Sequence, residues 1–310
     1  MPQRPMPQRP MPQRPMPQRS QQHASPVLET LVDHVGRQIA GKPLVWVVDQ
    51  PTEDDLNHVM TEATQPSQFD PLQLRVTMLA RLNAEVSPQP GKALMKQVKD
   101  GQAKLVCYRC SMGKVIAIVD PDTDVPLEEW GRVFQAFGSQ RPGNGKPWRI
   151  VWFANPTPRL FPEDGSAPTP ANLNGGYTYP CRPDTVVVYR KEEATRVLIH
   201  ELLHAACTDD MDTPEAIRES LTETWAELFL VAVRAHGSQR RAAALWRAQA
   251  QRIADQEAEL TRRGVLTPAD FAWRYTVGRR HVLAALGIDL PEPSPDPLTQ
   301  LQGSLAFTCP

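Results

Sequence analysis

The chain has 310 residues, 41% hydrophobic and 22% charged, which is ordinary globular composition for one large domain or two small ones. With 34 basic and 35 acidic residues its formal net charge is −1, so charge implies no nucleic-acid or anionic-membrane partner. No run approaches the ~20 apolar residues needed to cross a bilayer, so no membrane span is expected.

Residues 1–24 open with a repeated MPQRP unit, too poor in apolar side chains to fold and too rich in proline for a helix. They read as an extended, disordered arm. The arm has no apolar core of a secretory signal, and its prolines exclude an amphipathic presequence helix. Ser25-Pro26 is an N-cap pattern opening a helix to about Ala40. "KPLVWVVD" then reads as a short buried strand. Helical patterns follow near 52–63, 71–84 and 91–99. A β-hairpin is expected from Lys104 to Asp120 with its turn at Ser111 to Gly113, then a helix over 126–137 and a strand near 148–154. Residues 25–155 are thus a mixed α/β region that names no chemistry.

A Gly- and Pro-rich connection from Asn155 to Pro183 leads to "TVVVYR", Thr185 to Arg190, a strand by its β-branched run. Helices are expected at 192–207, 214–236, 239–262 and 268–286. Thr213-Pro214 starts the second, Thr267-Pro268 with Asp270 resembles a capping box for the fourth, and Gly264 and Gly287 stand where C-caps belong. The whole reads as an α+β fold: residues 156–290 form a second region with a helical C-terminal half, and 291–310 a proline-rich irregular tail. Trp46, Trp130, Trp152, Trp225 and Trp273 are expected in the core.

The five cysteines are Cys107, Cys110, Cys181, Cys207 and Cys309. An odd count at irregular spacing, without a signal sequence, argues against a disulfide framework and for a reducing, intracellular setting. Cys107 and Cys110 form a C-x-x-C, but no second pair follows at zinc-ribbon distance, so an incidental role is expected.

Chemistry enters with "RVLIHELLHAACTDD", Arg196 to Asp210. On a helix His200 and His204 lie four apart on one face, so both imidazoles can reach one metal ion at about 2 Å. This is H-E-x-x-H, a pattern that assigns the histidines to Zn2+ and Glu201 to the proton of an attacking water. A catalytic zinc needs a third protein ligand, and Glu223 on the next helix is the candidate. Glu227, one turn on, would orient His200 through its second ring nitrogen, and Asp209 or Asp210 would serve His204. Arg196, one turn before His200, is placed at the surface.

HELLH followed by Glu223 and Glu227 resembles the gluzincin class of zinc metallopeptidases, which pair two helix-borne histidines with a glutamate on the following helix. The segment "NLNGGYTYPCRPDTVVVYRKEEATRVLIHELLH" also resembles metallopeptidases of large DNA viruses. The resemblance implies that residues 156–290 are a zincin-like catalytic region with a mixed sheet and an active-site helix, hydrolysis of a peptide or protein substrate, and a virion-associated or intracellular location; no G-x-M-E-N device of aminopeptidases precedes the helix, so an endopeptidase is expected. No N-E-x-x-S-D stands around Glu223, which departs from the thermolysin-like family. In such folds an edge strand binds extended substrate, a role expected of Val186, Val187 and Val188. Tyr275, His281, Tyr177 and Tyr179 are the candidate donors to a developing oxyanion. The competing reading is a binding or virion-associated protein that keeps the zinc scaffold without turnover.

Overall fold

Alternating apolar residues build the sheet. A computed structural model describes residues 25–64, 97–138, 147–156 and 158–308. In chain order the elements are α1 (Pro26–Ile39), β1 (Val47–Val48), α2 (Glu53–Thr64), β2 (Lys104–Arg109), β3 (Gly113–Val119), α3 (Leu127–Phe137), β4 (Trp148–Phe153), α4 (Pro170–Leu173), β5 (Gly176–Tyr177) and β6 (Val186–Val188). The helical half adds α5 (Ala194–Ala205), α6 (Glu215–Ala235), α7 (Gln239–Arg262), a 3-10 turn (Phe271–Tyr275), α8 (Val277–Ala285) and α9 (Pro297–Gln300). The fold is α+β, and its mixed six-stranded sheet runs in the order β1-β2-β3-β4-β6-β5. Strands β3, β4 and β6 are parallel, whereas β1, β2 and β5 join antiparallel at the two flanks.

Because successive strand residues face opposite sides, the sheet separates two apolar clusters. Val115, Ala117, Ile150, Trp152, Val186 and Val188 pack with α1, α3, α5 and α6. Ile116, Ile118, Val151, Phe153 and Val187 face the other way, toward Val59, Tyr177 and Tyr189. A third cluster joins Leu260, Trp273 and Val277 to Leu301, Leu305 and Phe307 of the tail. Among the described residues no helix is long and apolar enough to cross a membrane.

Several expectations change. "KPLVWVVD" yields only β1, whose Val47 and Val48 are exposed at the sheet flank instead of buried. The strand expected from Thr185 to Arg190 is limited to Val186–Val188 and is interior, hydrogen-bonded to β4 on one side and β5 on the other, so it offers no free edge. The helix expected over 268–286 breaks at Thr276, whose backbone (φ −139°, ψ −79°) is not helical. The tail contains α9 and buries Leu305 and Phe307. Cys181 and Cys207 are joined by a disulfide, against the expectation of none, because β6 and α5 return the chain to the same place. Cys107 and Cys110 are not bonded to each other. The arm, the helix at 71–84, residues 91–96 and Cys309 lie outside the described residues.

Trp130 of α3 is fully buried, packs edge-on against Trp152 at 5.4 Å, and donates its indole N–H to Thr195 Oγ1 at 3.1 Å. It thereby ties α3 to β4 and to the start of α5. Replacing Trp130 with Ala is expected to cost roughly 3–5 kcal/mol through cavity formation, read as a lower urea midpoint at unchanged m-value.

Candidate metal centre

Helix α5 carries an apolar sequence that buries nearly every side chain, Arg196, His200, Glu201 and His204 included. Its first turn begins at Glu193, a residue in the left-handed region (φ 58°), whose carboxylate ion-pairs with buried Arg159. The four-residue spacing stacks His200 over His204 and brings their Nε2 atoms to 3.1 Å. Each Nδ1 faces a carboxylate. Asp209 Oδ2 lies 2.7 Å from His204 Nδ1, and Glu223 Oε1 lies 3.2 Å from His200 Nδ1. A carboxylate only accepts hydrogen bonds, so Asp209 holds a ring proton on His204 Nδ1, whereas His200 Nδ1 makes no hydrogen bond to Glu223.

Glu219 closes the junction. Its two oxygens lie 3.5 Å from His200 Nε2 and 3.6 Å from His204 Nε2. Two imidazole nitrogens and a carboxylate therefore converge on one point, a set of atoms that could hold a cation. Donor atoms of all three residues fall within 4.8 Å of one another. A tetrahedral zinc with bonds of about 2.0–2.1 Å places neighbouring ligand atoms about 3.3–3.4 Å apart, close to the spacings found. The two-nitrogen, one-oxygen donor set fits zinc and leaves a fourth position for water or substrate.

Glu223, expected as the third ligand, does not reach the junction; Glu219 takes that place. Glu223 instead backs His200 and ion-pairs with Arg196 through its other oxygen. Glu227, expected behind His200, is one turn further away and ion-pairs with Arg279. Asp209 stands behind His204, as the sequence suggested, whereas exposed Asp210 accepts from Asp212 N at 3.1 Å and Thr213 Oγ1 at 2.9 Å in a turn. Arg196 is 2% exposed, not superficial. The missed signal was the run Glu215, Glu219, Glu223, Glu227, one carboxylate per turn on one face of α6. Which turn lies level with the histidines is set by the connection from Ala206 to Pro214, which no local pattern reveals.

Glu201 is 5% exposed and lines the same cleft, and a Cβ on Gly176 would come within 3.0 Å of its Oε1. Burial pushes its carboxyl up to about 8, opposed by the positive charge of His204 and reinforced by Glu219 and Asp209. Burial takes His200 down to about 4. Burial disfavours the charge on His204 too, yet hydrogen bonds to Asp209 and Glu219 hold it up at about 10. Hydrogen bonds from both imidazoles keep the Glu219 carboxyl far below its ordinary range despite burial. Of the two histidines, His204 is the one whose charged form its surroundings favour.

Comparison with known proteins adds no family. No family model, no curated protein and no solved structure matches the chain. Of the candidate oxyanion donors, Tyr275 and Tyr177 line the cleft. Burial and the facing carboxylates of Glu219 and Glu201 raise the Tyr275 hydroxyl well above its ordinary value, so it stays a donor. Tyr177 directs its ring into the apolar cluster behind the sheet with Tyr189, and Tyr179 packs against it edge-on at 6.4 Å. His281 is exposed and stacks on Trp273, away from the cleft.

Two measurements check this arrangement. Glu219→Gln is expected to weaken zinc binding by more than about a hundredfold, and Glu223→Gln by the roughly 10–100-fold typical of an outer carboxylate, read by chelator competition. Calorimetry in buffers of different ionisation enthalpy is expected to show at least one proton released per zinc at pH 7. His204 binds a proton there and must surrender it to coordinate, a contribution that fades as pH rises through about 10.

Proposed function

We propose that the chain is a zinc-dependent metallopeptidase in which His200, His204 and Glu219 hold the metal and Glu201 is the general base. The observation that carries this reading is the junction of two ring nitrogens and a carboxylate with a second buried carboxylate one residue from its first ligand, both opening into one cleft. His200, His204 and Glu219 would hold the metal, which when bound would supply Lewis acidity to a water and to a substrate carbonyl. Glu201 takes the proton of the attacking water and passes it to the leaving amine. A divalent charge beside Glu201 would draw its carboxyl down from about 8 into the range of a working base. The Tyr275 hydroxyl is the donor placed to meet an oxyanion in the cleft.

Substrate alignment falls to β5 instead of Val186, Val187 and Val188. β5 stands last in the strand order and pairs with β6. Its Gly176 and the preceding Gly175 line the cleft. A Cβ on Gly176 would lie 2.7 Å from Val197 Cγ1 and one on Gly175 would lie 2.2 Å from an Arg159 nitrogen, so only glycine lets the strand sit this close to α5. An extended peptide lying in the cleft along Gly175 and Gly176 would meet their backbone groups, which suits peptide over other acyl substrates.

Glu201→Gln is expected to retain about one zinc per chain and to lose at least about a hundredfold of the cleavage rate on a peptide library, as removal of a general base does. Zinc binding with no Glu201-dependent cleavage would instead favour a silent scaffold.

A further inference from the structure

The Cys181–Cys207 disulfide lies at the rim of the metal centre. Cys181 directly follows the cleft-lining segment that ends at Pro180, and Cys207 stands two residues before Asp209. Both cysteines are exposed, so a thiol in solution can reach them. The amide N–H of each donates to the same acceptor, the carbonyl oxygen of His204, at 3.1 Å. Both residues also adopt left-handed backbone, with φ of 63° and 59°, a region that side chains other than glycine disfavour. The bond therefore pins two unfavourable turns against the backbone of one metal-binding histidine. Asp209, two residues beyond the turn at Cys207, reaches the ring of that histidine, its Oδ2 lying 2.7 Å from Nδ1.

We propose that Cys181–Cys207 is a thiol-exchange site that sets the zinc affinity of the junction through Asp209, an inference that rests on the zinc reading above. With the bond closed, the turn at Cys207 is held and Asp209 is presented to His204 Nδ1. With it open, residues 206–210 keep their strained turn only through hydrogen bonds, and the Asp209 contact loosens. A dithiol reductant accomplishes the opening. One of its thiolates attacks a disulfide sulfur, the S–S bond breaks, and the other protein sulfur leaves as a thiolate that takes up a proton. The second thiol of the reductant then displaces the mixed disulfide. The protein gains two electrons and two protons, and the reductant departs as its own disulfide.

The test measures zinc dissociation constants of the full chain by chelator competition, for oxidised protein and for protein reduced with a phosphine and desalted without oxygen. Reduction is expected to weaken binding about tenfold, the scale of a lost outer-shell contact. The paired substitution Cys181→Ser, Cys207→Ser is expected to bind like the reduced protein under both conditions. Asp209→Ala is expected to bind weakly and to ignore reduction. Equal affinity of oxidised and reduced wild type overturns the inference while leaving the zinc reading intact. So does an Asp209→Ala protein that still responds tenfold, or a non-reducing peptide map in which Cys181 and Cys207 are not linked. Absence of zinc in both states overturns the zinc reading and this inference with it. The wild-type comparison stands even where the serine variant fails to fold, which far-UV circular dichroism reports.

Discussion

The constraint on which the rest of the site depends is electrostatic: His200, His204 and Glu219 bring two ring nitrogens and a carboxylate to one small volume, a set of atoms that could hold a cation. In a buried setting the attraction between such a carboxylate and a cation is weakly screened. Asp209 holds a ring proton on the far side of His204, and Glu223 stands 3.2 Å from the far nitrogen of His200, so the near nitrogens of both rings face Glu219. Glu201, held apart from the junction, is left to do other chemistry.

Behind this junction stands a buried ionic cluster that keeps it in place. Arg159, Arg196 and Arg279 are each at most 2% exposed, and they face Glu193, Glu223 and Glu227, so three positive groups meet three negative ones. Burial lowers Arg196 to about 10, opposed by Glu227 and Glu193, which shows how far desolvation is compensated by its partners. Phe307 from the tail is wedged among them, with the three guanidinium carbons 4.4–5.2 Å from its ring centroid. Removing one member of such a cluster leaves an uncompensated buried charge, which is costlier than the pair itself is stabilising. Through Arg196 and Glu223 this cluster reaches His200, so the C-terminal segment belongs to the architecture of the site, although its proline-rich sequence reads as irregular.

How much of this was legible follows from the range of each signal. The pair His200 and His204, and Glu201 beside them, are a local pattern on one helix, and helix periodicity alone puts the two imidazoles together. The hairpin of β2 and β3, the helix of α7 and the caps at Gly264 and Gly287 are likewise local, set by alternation and by glycine's freedom at positive φ. By contrast, the choice of Glu219 over Glu223 depends on how α6 seats against α5. Four carboxylates at one-turn spacing are equivalent in sequence, and a shift of one turn, about 5.4 Å, would change which of them stands level with the histidines. The interior position of β6 is equally non-local, because its partner β5 is only Gly176–Tyr177, too short and too glycine-rich to carry a strand signal.

The amino-acid sequence by itself determined the α+β class, the histidine pair with its neighbouring glutamate, and most helix boundaries, since each is written in contacts between residues a turn apart. Only the tertiary structure decided that Glu219 completes the donor set, that β5 is the outer strand, that Cys181 meets Cys207, and that the tail anchors the buried arginines. Those contacts join residues far apart along the chain, and their outcome depends on packing distances that side-chain periodicity does not encode.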